Sequence, residues 1–197
     1  MDTQQVDCWF PTSIYVAENV LNESQKKNIT TRIYEMSDYI ESGGNDWQGG
    51  TFTSHDKNNL IFDPVFEGFI NTVTNHVNIF AEQHNSSAKF KCHTAWFNIG
   101  TAGNFQEYHY HADSVFSMVY YLSAPSGSGK IVFENPIQDM CPIPDINDRN
   151  DLSFHQVGYT PVENSLLIFR SYLRHMVTAG NFDGHRISIA LNFSGIK

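Results

Sequence analysis

Beyond Lys89 the apolar residues of this chain recur at every second position, in about eight short runs separated by turn-forming clusters. Side chains two apart on an extended backbone share a face, so each run is a strand with one buried side. The expected strands span residues 90–99, 107–112, 115–123, 130–133, 156–159, 166–169, 175–178 and 186–193. Ser126-Gly127-Ser128-Gly129 is a hairpin turn, and Pro142 to Asp151 is a surface loop. Upstream the period differs. A short strand is expected around residues 8–15, then a helix over 23–39 capped by Asn22, whose side chain accepts from the first unpaired amides. Residues 42–59 carry Gly43-Gly44 and Gly49-Gly50 and are expected to form a loop or irregular hairpin. A second helix begins at Asp63 as cap with Pro64 at its first position, because Phe66, Phe69, Ile70, Val73, Val77 and Phe80 repeat at helical spacing up to His84.

Short antiparallel strands following two helices define a mainly β, α+β fold: a jelly roll, or double-stranded β-helix, with N-terminal helices packed on one sheet. The expectation is one domain over 1–197, with 1–88 as helical and irregular support and 89–197 as the jelly-roll core. A chain of 197 residues, 41% hydrophobic with 15 Phe and 9 Tyr, can bury such a core. Charge counts narrow the partners. Twelve basic against 21 acidic residues leave −9, which lacks the basic footprint of a nucleic-acid or anionic-membrane binder. Cys8, Cys92 and Cys141 are odd in number and widely spaced, as expected of reduced cytosolic thiols. The N-terminal residues lack the basic and apolar blocks of a signal peptide, and no apolar run nears the roughly 20 residues of a membrane span. The cytoplasm is the expected location.

The chemistry sits in three places. His111-Ala112-Asp113 puts an imidazole and a carboxylate in one strand phase, and His175 lies far downstream, so only a fold that returns the chain can unite them. Two imidazoles and one carboxylate hold a ferrous ion while leaving positions open, whereas four Cys or His ligands would close the site. Arg186-Ile187-Ser188-Ile189-Ala190-Leu191-Asn192-Phe193 alternates without a break, with Arg, Ser, Ala and Asn on one face and Ile, Ile, Leu and Phe on the other. A guanidinium inside a barrel requires an anion, since a buried unpaired charge costs several kcal/mol, and its planar fork suits a carboxylate. Tyr121, within Val119-Tyr120-Tyr121-Leu122-Ser123, shares a phase with Ser117 and Val119. The bland alternatives are barrel histidines, a turn-capping Asp113, an Arg186 salt bridge and a packed sheet tyrosine.

Taken in order, His-x-Asp, His and Arg-x-Ser resemble the Fe(II)/2-oxoglutarate dioxygenase superfamily, nearest its prolyl-hydroxylase-like members. The likeness runs from about Trp96 to Phe193. It implies Fe(II) held by His111, Asp113 and His175, and O2 as oxidant. It implies 2-oxoglutarate held at its far carboxylate by Arg186, with Ser188 and Tyr121 as further donors and Asn98 nearby. The implied reaction is hydroxylation of a C–H bond, with a peptidyl proline as substrate or, alternatively, a free amino acid or small metabolite. His109 falls in the phase of His111 and Asp113. A His-x-His pair also opens the metal site of cupins, but Val115-Phe116 and Ser171-Tyr172-Leu173-Arg174 depart from the rest of that pattern. A cupin-like protein, or a non-catalytic sensor of iron or 2-oxoglutarate, is the remaining alternative. His109 is expected to be a wall residue facing substrate rather than a fourth ligand. The Trp47 loop, Asp46 to Thr51, is expected to act either as a lid or as a core anchor.

Overall fold

The computed structural model describes residues 4–44, 47–137 and 147–196. After an exposed N-terminal stretch come strand β1 (Ile14–Glu18), helix α1 (Glu23–Ser37), a two-residue strand β2 (Phe52–Thr53) and helix α2 (Glu67–Gln83). Strands β3 (Phe90–Gly100), β4 (Gln106–His109), β5 (Phe116–Ser123) and β6 (Ile131–Glu134) follow. The chain closes with β7 (Gln156–Tyr159), β8 (Ser165–Arg170), β9 (His175–Val177) and β10 (Arg186–Gly195). A six-stranded sheet has the order β1-β8-β5-β10-β3-β2, and a four-stranded sheet the order β4-β9-β6-β7. The named strand pairs are antiparallel. This is the expected α+β jelly roll.

Helix starts follow the local chemistry. Asn22 accepts from the Gln25 amide while the Gln25 side chain returns to the Asn22 amide, a reciprocal cap. Asp63 and Pro64 instead open a short 3-10 turn, Pro64–Phe66, before α2 proper begins at Glu67. The first strand lies later than its expected place, at 14–18, because its partner β8 sets it in register from Ile14↔Phe169 to Glu18↔Ser165. The loop at 42–59 contains β2, whose Phe52 and Thr53 pair with Ile99 and Asn98. Cys141 and residues 142–146 of the expected surface loop lie outside the described residues. Cys8 is exposed, whereas burial pushes the Cys92 thiol up to about 12. Among the described residues no helix is long and apolar enough to cross a membrane.

Strand alternation divides the interior in two. Phe116, Met118, Tyr120 and Leu122 of β5, with Ile187, Ile189, Leu191 and Phe193 of β10, join Ile33, Met36, Phe69, Val73 and Val77 of the helices in one large core. The opposite phase of β5, Val119 and Tyr121, packs between the sheets with Ile131, Phe133, Leu167, Phe169 and Leu173. Each fully buried aliphatic or Phe side chain contributes about 1.5–3 kcal/mol. The helices therefore hold one face of the six-stranded sheet rigid, and its other face is left to carry function.

Asn164 ties the N-terminal segment to this frame. Its φ is 60°, a left-handed conformation that Asn tolerates better than most residues. Its buried carbonyl accepts from the Leu21 amide and the Tyr120 hydroxyl, both at 2.9 Å, and its amide donates to the Leu21 carbonyl at 2.8 Å. Asn164→Ala strands these groups and keeps the strained φ. We expect a loss of about 2–4 kcal/mol in urea unfolding, whereas Tyr120→Phe, which removes one donor, costs about 1 kcal/mol.

Candidate active site

Two strands and one turn bring three imidazoles together. His109 ends β4 and is the cross-strand partner of His175, which opens β9. His111 follows β4, and its backbone N–H donates to the Ser171 carbonyl at 3.0 Å. One ring nitrogen from each of His109, His111 and His175 lies within 4.8 Å of the others. The rings are 4.3–5.4 Å apart between centroids. Nδ1 of His109 donates to the Glu107 carbonyl at 2.8 Å, and Nδ1 of His175 to that of Leu173 at 2.9 Å. A carbonyl only accepts, so both protons are fixed on Nδ1 and both Nε2 lone pairs are free. A metal-binding histidine has its second nitrogen engaged in this way.

Electrostatics favours the same use. Burial lowers His109, and takes His111 down to about 4 and His175 down to about 3, with the neighbouring imidazoles adding to the shift of the last two. Neutral rings repel neither one another nor an incoming cation.

Asp113 does not join this group. It is exposed, in the turn at Ala112–Asp113. Of the expected metal set of His111, Asp113 and His175, the structure brings the two histidines together and sets His109, not Asp113, beside them. The reason is where the strand ends. Pairing of β4 stops at His109, Tyr110 turns outward at 60% exposure, and strand phase no longer extends to residue 113. His109 was visible as a phase-mate of His111, but spacing alone did not show which end of His-x-His-x-Asp stayed inside.

The cosubstrate candidates gather where the alternation puts them. Ser188 is the cross-strand partner of both Asn98 and Tyr121. Arg186 is 8% exposed, with its guanidinium carbon 5.2 Å from the Tyr121 ring centroid. Burial pushes the Tyr121 phenol up, against the pull of the neighbouring Arg186. Nε of Arg186, the Tyr121 hydroxyl and Oδ1 of Asn98 are buried and lack a hydrogen-bond partner among the described residues. Nor does any described carboxylate pair with Arg186. A buried guanidinium in that condition calls for an outside anion.

Both ends open into one cleft of about 640 Å³, its mouth included, lined by His109, His111, His175, Arg186, Ser188, Tyr121 and Asn98 together with Trp47 and Trp96. Nitrogen donors at one end and orphaned polar atoms at the other fit a divalent ion and a small dicarboxylate. Trp47 stacks on His55 at 5.9 Å and approaches His109 at 6.4 Å. Its loop is fastened, since Gln48 N–H donates to Glu107 at 2.7 Å and Phe105 N–H to Gly49 at 3.2 Å. Gly49 has no room for a side chain, because a Cβ would sit 1.7 Å from the Phe105 carbonyl oxygen. Trp47 forms a wall of the cleft. Asp46 lies outside the described residues. Arg174 pairs with Glu134 at 2.9 Å and His185 with the Tyr34 hydroxyl at 2.9 Å, both at the surface. Trp96 and Asn192 also line the cleft, a role that their strand positions alone do not signal.

Known proteins share the fold and part of the sequence of this chain. No curated protein matches the chain in sequence. Solved structures share its fold. The viral collagen prolyl hydroxylase vCPH from Paramecium Bursaria Chlorella virus-1, a 2OG complex, superposes with a TM-score of 0.60 at 12% identity, covering 93% of this chain and 96% of that one. A Pseudomonas putida prolyl-4-hydroxylase gives 0.61 at 13% identity, with 92% of each chain covered. HygX from Streptomyces hygroscopicus, with nickel, 2-oxoglutarate and hygromycin B bound, gives 0.61 at 11% identity over 93% of this chain and 83% of that one. Residues 94–192, half of the chain and all of the strands that build the cleft, match the family described as "Putative 2OG-Fe(II) oxygenase". The chain belongs to this family of 2-oxoglutarate-dependent oxygenases, enzymes that work with Fe(II), 2-oxoglutarate and O2.

Proposed function

We propose that this oxygenase hydroxylates a peptidyl proline, with His109, His111 and His175 as the metal ligands and Arg186, Tyr121 and Ser188 as the grip on the far carboxylate of 2-oxoglutarate. The observation that carries this reading is the pairing, within one cleft, of neutral imidazoles with a buried guanidinium that has no counter-charge among the described residues. Bound iron supplies the oxygen chemistry: C–H, 2-oxoglutarate and O2 give C–OH, succinate and CO2. The protein's own residues bind, orient and exclude water. Arg186 sets the reach of the cosubstrate into the cleft. The Tyr121 hydroxyl and Ser188 supply donors to the same carboxylate, and Asn98 offers a polar edge beside them. Trp47 and Trp96 form an aromatic, uncharged wall beside the imidazoles, and among the described residues no Asp or Glu lines the cleft. Such a wall favours a neutral, compact ring such as a pyrrolidine over a charged side chain. The two prolyl hydroxylases that share the fold agree with that choice.

Four outcomes test the reading. Incubation of the enzyme with Fe(II), 2-oxoglutarate, O2 and proline-containing peptides should add one oxygen to proline, seen by mass spectrometry, with stoichiometric succinate; oxidation only of free amino acids or small metabolites would replace the peptide substrate. Arg186→Ala should weaken 2-oxoglutarate binding about 30-fold or more, the equivalent of about 2 kcal/mol, while metal affinity stays near that of the wild type. His109→Ala should lose metal affinity at least about tenfold by anaerobic Co(II) titration. Asp113→Ala should keep it, and the reverse result would restore the carboxylate as ligand.

A further inference from the structure

A file of buried polar side chains leads from the sheet to His111. The Ser171 and Ser117 hydroxyls are 2.8 Å apart, and Ser117 donates to Oδ1 of Asn192 at 2.8 Å. Nδ2 of Asn192 lies 3.4 Å from Nδ1 of His111. Ser171, Ser117 and Asn192 are 1%, 2% and 8% exposed. Ser117 and Asn192 are cross-strand partners on β5 and β10, and Ser171 also holds the His111 backbone through its carbonyl. The same short segments thus fix both the backbone and the ring of His111.

His111 differs from its two neighbours in what faces its Nδ1. His109 and His175 meet backbone carbonyls, which only accept, so their tautomers are locked. His111 meets a side-chain amide, which can offer either NH2 or C=O. With Ser117 donating to Oδ1, the NH2 group is turned toward Nδ1, which must then be the acceptor. The His111 proton sits on Nε2 in that arrangement, and Nε2 has no lone pair to give.

A half-turn of the amide exchanges the two groups over the same heavy-atom positions, which are distinguished only by their hydrogen bonds. Oδ1 then accepts from Nδ1–H of His111, Nδ2 donates to the Ser117 oxygen, and the Ser117 proton turns to the Ser171 oxygen. Nε2 of His111 is freed, matching the other two rings. Its former proton leaves to water and another returns from water to Nδ1, so the ring stays neutral.

We propose that Asn192 is a positioning residue that sets the tautomer of His111, and that the Ser171–Ser117–Asn192 file reverses its hydrogen-bond direction when the site takes up a metal ion. The proposal rests on the three-imidazole ligand set proposed above. It predicts that a side chain able only to accept will do better than the amide, since a carboxylate or carbonyl behind a ligating histidine holds Nδ1–H in place.

The test is anaerobic Co(II) titration of the full-length protein without cosubstrate, followed by visible absorption, together with nitrogen-15 NMR of the imidazoles with and without Zn(II). Asn192→Leu should bind Co(II) about 10- to 100-fold more weakly, whereas Asn192→Asp should bind at least as tightly as the wild type. In the wild type, the His111 proton should sit on Nε2 without metal and on Nδ1 with Zn(II). Asn192→Leu within about threefold of wild type, Asn192→Asp weakened tenfold, or an unchanged tautomer would each overturn the proposal. If Asn192→Leu fails to fold by circular dichroism, Asn192→Asp and the NMR measurement decide. A wild-type protein that takes up no Co(II) would instead sink the ligand set, and this inference with it.

Discussion

A positive charge enclosed by protein and paired with no carboxylate among the described residues organises this molecule. Arg186 opens β10 and is 8% exposed, and its Nε has no partner among the described residues. Such an arrangement costs several kcal/mol, so the rest of the fold must supply it. The large core beneath β10 and β5 does so, with each apolar side chain on that side adding to a reserve that the polar side draws down. Stability and function sit on opposite faces of the same strands.

That division explains why the two ends of the cleft are built differently. The Arg186 end lies on the six-stranded sheet, backed by both helices. The imidazole end lies where β4, at the border of the four-stranded sheet, meets β9. There the support is a set of specific hydrogen bonds: carbonyls on His109 and His175, the Ser171 carbonyl on the His111 backbone, and the Asn192 amide on its ring. Packing holds one end and polar contacts hold the other.

Much of this was legible in the chain. The unbroken alternation of 186–193 separated Arg186, Ser188 and Asn192 from Ile187, Ile189, Leu191 and Phe193, and the structure keeps that division. The phase shared by Ser117, Val119 and Tyr121 also holds, because a sheet with one face on helices enforces its register. Other features left no periodic trace. Strand β2 is two residues long and exists through pairing with Ile99 and Asn98. Asp113 shares a parity with His111 that means nothing once the backbone turns, and where it turns is decided by a distant partner, β9. The Asn192 relay is invisible for a similar reason. Serines and an asparagine carry no motif, and their relation appears only when β5, β10 and the segment after β8 converge.

The lining of the cleft has a consequence for turnover. Among the described residues no acidic side chain lines it, although the chain as a whole carries a net charge of −9. An anion that has passed the acidic exterior meets no described carboxylate inside to push it back out. On the proposed reading, the succinate left after reaction keeps the carboxylate that Arg186 grips, so the same side chain that draws the cosubstrate in also retains the spent product.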